Sequence, residues 1–399
     1  MSLCLEPASP LVETHCERVD TFAVLDPARW NELAAQVPFR RWEWLETWWR
    51  HYRHNRCELF LLVVHNAEGD VIGVAPWYVE RSAVWGRVIR LLGSGEVCSD
   101  YVSVLCQPGL ETAVAHALAD WLTTRGRLLW DLIDLDGVDD HDGVTSALID
   151  QLEHTGQPVD WRTELSSWRI EFPPTFDGWL GQLSKSRREK VRQMMRRMYD
   201  SGRAVPRLAH TPAEVREAWG ILRQLHGERR NSLGQSGCFA SQRFQSFHDE
   251  IVDRFQSLGQ LRLHWVTLDD QPVAAEYDLT GGDTVYMYQT GFNPQFAEHQ
   301  PGWLNTIGTL RFAYEQGFKV YDFMRGDEPY KASWRAKPRI QWHVRVAADR
   351  WFPRLRDRSW HAGRDFKHWL RARREQFSQW WSDQSAPGAP QPSATGDAS

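Results

Sequence analysis

Residues 261–290 read LRLHWVTLDDQPVAAEYDLTGGDTVYMYQT, and this stretch decides the fold. Leu261 to Leu268 reads as a strand. Asp269, Asp270, Gln271 and Pro272 supply a turn, and Val273 to Leu279 returns as a second strand. Gly281, Gly282 and Asp283 turn the chain again into Thr284 to Thr290, a third strand rich in tyrosine. Downstream, the spacing predicts a helix from Trp303 to Glu315 that stops at Gly317, and Lys319 to Phe323 is a short strand carrying Asp322. A meander followed by a helix and another strand predicts a mixed sheet with helical cover.

The same order of elements stands in the first half. Leu59 to Val64 and Val71 to Val79 flank the turn Asn66 to Asp70. Glu111 to Thr124 has helical spacing at Val114, Leu118, Trp121 and Leu122, and Leu129 to Leu135 follows as a strand. The offset between the two sets is roughly 190–200 residues, which reads as a duplicated architecture. A chain of 399 residues also fits two domains of about 100–200 residues each. The expected organisation is an N-terminal extension (1–20), a first and degenerate domain (21–170), a second domain with the working site (171–348), a Trp- and Arg-rich helical extension (349–382) and a disordered tail (383–399). Within it, Asp26 is expected to cap a helix opening at Pro27, Glu43 to Arg53 to form another, and Ser184 to Tyr199 to form a basic helix with Val191, Met194, Met195 and Met198 on one side.

Hydrophobic residues are 42% of the chain and charged ones 25%, the proportions of a globular protein. A formal charge of -5 gives no global attraction to polyanions, so nucleic acid or lipid would have to bind at a local basic patch. The start Met1–Pro7 lacks a basic, apolar leader and no window approaches a membrane span, which makes the cytoplasm the expected compartment, with attachment to the periphery of the inner membrane as an option. The cysteines Cys4, Cys16, Cys57, Cys98, Cys106 and Cys238 have no short paired spacing, so neither a metal site nor a cysteine nucleophile is expected. The 22 tryptophans read as core and cleft residues.

Chemistry concentrates in the second half. In Pro301, Gly302, Trp303, Leu304, a glycine just inside a helix start lets backbone amides approach a diphosphate, and the positive end of the helix dipole favours that anion. Proline beside it also suits any first turn. General acid–base chemistry needs a group that can take a proton, and a developing negative charge needs a donor. Glu276 and Asp278 share one strand face as candidate bases, Tyr286 and Tyr288 share a face on the next strand, and Asp322 sits on an apolar strand where its alternative reading is an ion pair with Arg325 or Lys331. The loop Arg325, Gly326, Asp327, Glu328, Pro329, Tyr330, Lys331 follows a strand end, where sites in open α/β sheets lie.

These residues also carry a resemblance. The basic helix Lys185–Arg197, the run Tyr288–Pro294, Pro301–Leu304, Tyr321–Lys331, and in the first half Gly93–Gly95 with Ser99, Asp100 and Tyr101, together resemble GNAT-like acyltransferases of the cellulose-biosynthesis CelD type, related to the FemAB and FemX transferases. The likeness covers most of residues 21–337, although the family's Arg/Gln-x-x-Gly-x-small register before the helix is not kept. It implies an α/β (mixed α+β) fold of two tandem GNAT-type acyl-CoA N-acyltransferase domains, each a centrally splayed mixed sheet flanked by helices. It implies N- or O-acyl transfer from acyl-CoA, with no metal, to a small-molecule or sugar-linked acceptor in extracellular polysaccharide, cellulose or envelope precursor synthesis. On that reading Glu276, Asp322 and Tyr288 are catalytic. Gly302, Trp303, Leu304, Gly291 and Arg325 bind the cofactor, and Asp100, Tyr101, Asp327, Glu328, Tyr330 and Lys331 bind substrate. Residues 350–382 would contact a polysaccharide synthase or a membrane. The alternatives are a FemX-like transferase using aminoacyl-tRNA, the one reading that needs nucleic acid, and an inert scaffold of a polysaccharide synthesis system.

Overall fold

Turn residues between apolar runs divide the chain into strands that the computed structural model assembles into two sheets; it describes residues 13–360. The strands of the first half are β1 (Thr14–Val19), β2 (Cys57–Asn66), β3 (Val71–Ser82), β4 (Gly86–Leu91), β5 (Leu105–Cys106), β6 (Leu132–Asp139) and β7 (Val159–Thr163). Those that follow are β8 (Ser167–Glu171), β9 (Ala204–Leu208), β10 (Leu261–Leu268), β11 (Gln271–Gly281), β12 (Thr284–Phe292), β13 (Val320–Arg325), β14 (Lys337–Arg339) and β15 (Gln341–Ala347).

One sheet has the order β1-β2-β3-β4-β6-β15-β7, with β5 on β3, and the other β14-β8-β13-β12-β11-β10-β9. Each contains a single parallel pair, β4 with β6 and β12 with β13. In each case a helix makes the crossover that a parallel pair requires, Glu111–Thr123 in the first and Pro301–Glu315 in the second. The structure thus has the mixed α/β architecture of two sheets with helical cover that the strand pattern implied.

The sheets also exchange strands. β15, late in the chain, lies between β6 and β7 of the first sheet, and β8 lies between β13 and β14 of the second. The halves share a core as well. The helix Trp42–Tyr52 packs on the helix Gln242–Ser257, with the Trp44 and Phe247 rings 5.1 Å apart and edge to face. Trp30, Trp44, Trp77, Trp130 and Trp179 are fully buried, as core use of tryptophan predicted.

Local expectations mostly hold, with shifts that have physical causes. Asp26 accepts from the Ala28 and Arg29 amides and caps the helix Pro27–Leu33. Order begins before Phe22, because β1 pairs along β2 from Thr14↔Asn66 to Val19↔Leu61. The strand expected from Leu129 starts at Leu132; Trp130 is instead a buried anchor whose indole donates to the Leu122 carbonyl. The basic helix is α-helical only over Lys185–Met194 and widens to a π turn over Met195–Tyr199. Residues 351–360 are helical. Residues 361–399, which include the expected tail and most of the expected extension, lie outside the described residues, as do residues 1–12. No helix among the described residues is long and apolar enough to cross a membrane.

Candidate active site

β12 and β13 pair for only three residues, Thr284↔Val320, Val285↔Tyr321 and Tyr286↔Asp322. β12 then runs on to Phe292 and β13 to Arg325 without ladder hydrogen bonds between them, so the sheet opens as a wedge. A bulge on β12 widens it, since Tyr277 faces Gln289 while Asp278 faces Met287, leaving Tyr288 as the extra residue. The wedge is the floor of a groove of about 660 Å³ reached by Glu276, Tyr288, Gly302, Trp303 and Tyr330.

At one wall the helix Pro301–Glu315 begins. Gln300 adopts a left-handed conformation (φ 55°), no side chain caps the start, and proline at the first position has no amide to satisfy. The Trp303 and Leu304 amides turn back to the Gln300 carbonyl, at 2.9 and 3.2 Å, whereas the Gly302 amide has no acceptor among the described residues. A Cβ on Gly302 would meet only Phe292 Cε1, at 3.9 Å, so the approach to that amide is open. Cations surround this start. Lys190 Nζ lies 4.0 Å and Arg187 4.6 Å from the Trp303 ring, and Arg229 is 3.9 Å from the Phe292 ring. Arg187, Arg229 and Arg230 all line the groove. Of these, the sequence reading named Arg187 but missed Arg229 and Arg230, which sit in the last turns of an ordinary-looking helix, Pro212–Ser232.

The other wall holds a buried acid. Glu276 is 1% exposed and accepts hydrogen bonds from Asn305 Nδ2 and Tyr321 Oη. Burial pushes it up to about 7 against the pull of those donors. Asp278 adjoins it on the same face, with no exposure at all. Two adjoining buried carboxylates cannot both ionise, and burial together with the Glu276 charge holds Asp278 far above the usual carboxylate range, so Asp278 keeps the proton. Behind it His264 Nε2 lies 3.6 Å from Asp278 Oδ2, and burial lowers that imidazole to about 3, leaving it neutral. Asn305 and Tyr321 were not singled out as partners of Glu276 from sequence. The available signal for Asn305 was a carboxamide one turn from Pro301 and Thr309 in a helix that buries Leu304, Ile307 and Leu310.

The groove gathers some of the other expected residues and not the rest. Gly291 lines it, but its missing side chain serves the opposite face, where a Cβ would meet the His226 backbone nitrogen at 2.5 Å. Leu304 is fully buried beneath the helix start. Tyr288 gives its ring to the groove wall and spends its hydroxyl on the Val97 carbonyl, at 2.7 Å. Asp322 lies outside the groove, in a separate cavity of about 250 Å³ with Arg40 and Arg169. It pairs with neither Arg325 nor Lys331. Instead it accepts from Tyr101 Oη (2.5 Å) and the Met324 amide (2.7 Å), and burial pushes it up to about 6.

The loop after β13 is braced from within. Arg325 donates through its amide and its Nε to the two oxygens of Asp100, at 2.7 and 2.8 Å, and reaches Asp136, so both charged partners are consumed between the two halves. Lys331, almost fully buried, donates to the carbonyls of Met324, Arg325 and Gly326 at 2.9–3.1 Å and pairs with Glu328. Those bonds hold the left-handed backbone at Met324 (φ 59°). Asp327 accepts from the Trp168 indole at 2.9 Å. Arg325, Glu328, Tyr330 and Lys331 all line the groove, with Glu328 and Tyr330 exposed.

Residues 185–332 match the family model described as acetyltransferase (GNAT) domain. No curated protein matches the chain in sequence. Among solved structures, the crystal structure of FemX aligns with 82% of this chain and 96% of its own at 13% identity and a TM-score of 0.57. A conserved protein of unknown function from Bacteroides thetaiotaomicron VPI-5482 aligns with 83% of this chain and 99% of its own at 11% identity and a TM-score of 0.51. These likenesses extend over both sheets, and the match to the GNAT domain model covers the part of the chain that contains the open wedge.

Proposed function

We propose that the protein is an acyltransferase that binds an acyl-CoA in the groove of the second sheet and transfers its acyl group by direct attack of an amine or hydroxyl. The observation that carries this reading is an uncapped, glycine-containing helix start, ringed by cations, facing a buried carboxylate across splayed strands. The Gly302 amide and the helix dipole suit the diphosphate; Arg187, Lys190, Arg229 and Arg230 suit the remaining phosphate charge. Glu276, ionised while Asp278 stays neutral, takes the acceptor's proton. Asn305 and Tyr321 orient it. A sugar-linked or envelope precursor as acceptor follows from the CelD-type resemblance, and contact of residues 350–382 with a synthase or an anionic membrane from the Trp- and Arg-rich composition of that segment. The described start of that segment exposes Trp351, Phe352 and Leu355.

Thermal unfolding with acetyl-CoA and longer acyl-CoAs at millimolar concentration tests the reading. At a hundredfold excess over Kd the ligand adds about 2.7 kcal/mol, a rise in Tm on the order of a few degrees. An unmoved Tm with every acyl-CoA would sink it. Steeply salt-dependent binding of aminoacyl-tRNA in its place would favour the FemX-like alternative, since the same cations would then be neutralising a nucleic-acid backbone.

A further inference from the structure

Away from the groove, the junction between the helix Trp42–Tyr52 and β2 brings together three atoms of different ligand chemistry. Cys57 opens β2 and stands directly across from Glu80 of β3 in the antiparallel register, so both side chains leave the same face of the sheet. His54 is folded back over them by a tight turn in which the Cys57 amide donates to the His54 carbonyl, at 2.9 Å. His54 Nε2 consequently lies 3.1 Å from Cys57 Sγ and 3.9 Å from Glu80 Oε1, and the three ligand atoms all fall within 4.8 Å of one another. Arg90 holds the other carboxylate oxygen, Glu80 Oε2, at 3.1 Å and is itself held by Asp134 at 2.8 Å. Oε1 is left facing the histidine and cysteine.

We propose that His54, Cys57 and Glu80 form a binding site for a zinc-class divalent cation, completed by water. Tetrahedral zinc with Zn–S of about 2.3 Å and Zn–N or Zn–O of about 2.0–2.2 Å separates its ligand atoms by about 3.4–3.6 Å. The two separations above bracket that range and the third lies within 4.8 Å, so side-chain adjustments on the order of an ångström would close the site. The donor set selects the metal. One thiolate, one imidazole and one carboxylate suit zinc and its borderline neighbours and exclude magnesium or calcium, which take oxygen alone. Ligation removes the thiol proton to solvent, and one thiolate with one carboxylate then balances the dication. It also places the imidazole proton on Nδ1, releasing the 3.3 Å contact that this nitrogen accepts from the Arg56 amide. The Arg90–Glu80 pair acts as the outer partner that fixes the carboxylate's orientation. Cysteine spacing did not expose this site because its three ligands come from a loop and two strands.

The test is titration of the full-length, reduced protein with zinc against a chromogenic chelator, and with cobalt monitored by absorption. One equivalent of zinc is expected to bind at micromolar metal, and cobalt is expected to give a thiolate-to-metal charge-transfer band. Cys57→Ser should abolish the band. His54→Gln, at a position open to solvent where folding is not at stake, should end stoichiometric binding while the circular dichroism spectrum stays that of the parent. Absence of the band in the parent protein, or zinc stoichiometry unchanged in both variants, overturns the proposal. Neither result touches the groove, whose acyl-CoA response is read separately.

Discussion

At the residue scale the chemistry rests on which of several acids is ionised and open to the groove. Glu276 meets both conditions, with a carboxyl raised to about 7 by burial, and a base must be charged to act. Transfer activity should therefore climb as pH rises through about 7. Glu276→Gln should lower turnover by about 10²–10⁴-fold while acyl-CoA still raises the Tm. Stability should carry the opposite slope. The folded value lies above the ordinary 4.5, so the folded state holds a proton that the unfolded chain releases. That contribution is complete below about 4.5 and is lost as pH climbs to about 7. The variant lacks the titration, so its stability relative to the parent should improve over that window, as urea unfolding at pH 5 and pH 8 would read. Glu276 and Asp322 were equally legible in the sequence as carboxylates on apolar strands. What strand alternation left open was the side of the sheet each one faces. The register Tyr286↔Asp322 is the last rung before the wedge opens, and Tyr101, 221 positions away in sequence, claims Asp322 from the first half.

Among the elements, the helix Pro301–Glu315 carries the proposed acyl-CoA contact. Its sequence announced a start through Pro301 and Gly302, but no local pattern specified the left-handed Gln300 that leaves the Gly302 amide exposed. Gln300 closes the preceding 3₁₀ segment Pro294–His299, its amide donating to the Ala297 carbonyl. Nor did the basic helix reveal its purpose from charge alone. Only in three dimensions do Arg187 and Lys190 converge on Trp303. Because a Cβ at position 302 meets only Phe292, in ordinary contact at 3.9 Å, Gly302→Leu should fold with a ligand-free Tm within about a degree of the parent, yet project its side chain where the diphosphate would sit. We expect acetyl-CoA affinity to fall at least about tenfold, a loss of ~1.4 kcal/mol, measured by calorimetry. Unchanged affinity would remove the helix start from the binding site and leave the cations to explain any CoA response on their own.

For the whole molecule, the consequence of strand exchange is that neither half owns a complete sheet. The repeated order of elements was readable from turn residues and apolar runs, and it correctly implied two similar sheets; the exchange was not, because β8 and β15 are short and their partners lie far off in sequence. β15 fills the place between β6 and β7, and its Val344 and Val346 are fully buried. β8 joins β13 to β14, and its Ser167 hydroxyl lies 2.7 Å from Tyr101 Oη. The Arg325–Asp100 pair adds a buried ionic link, and breaking one side of such a pair typically costs about 3–5 kcal/mol. Fragments 21–170 and 171–348 should each expose the backbone edges of a missing strand, a template for aggregation. Expressed alone, each should be insoluble or lack a cooperative thermal transition, whereas the intact chain should unfold in one step with both sheets melting together. Two soluble, independently cooperative fragments would show that the exchanged strands are accessories. In that case the first half would lose its clearest physical role, which is to hold β8 and the Asp100 loop where the wedge needs them.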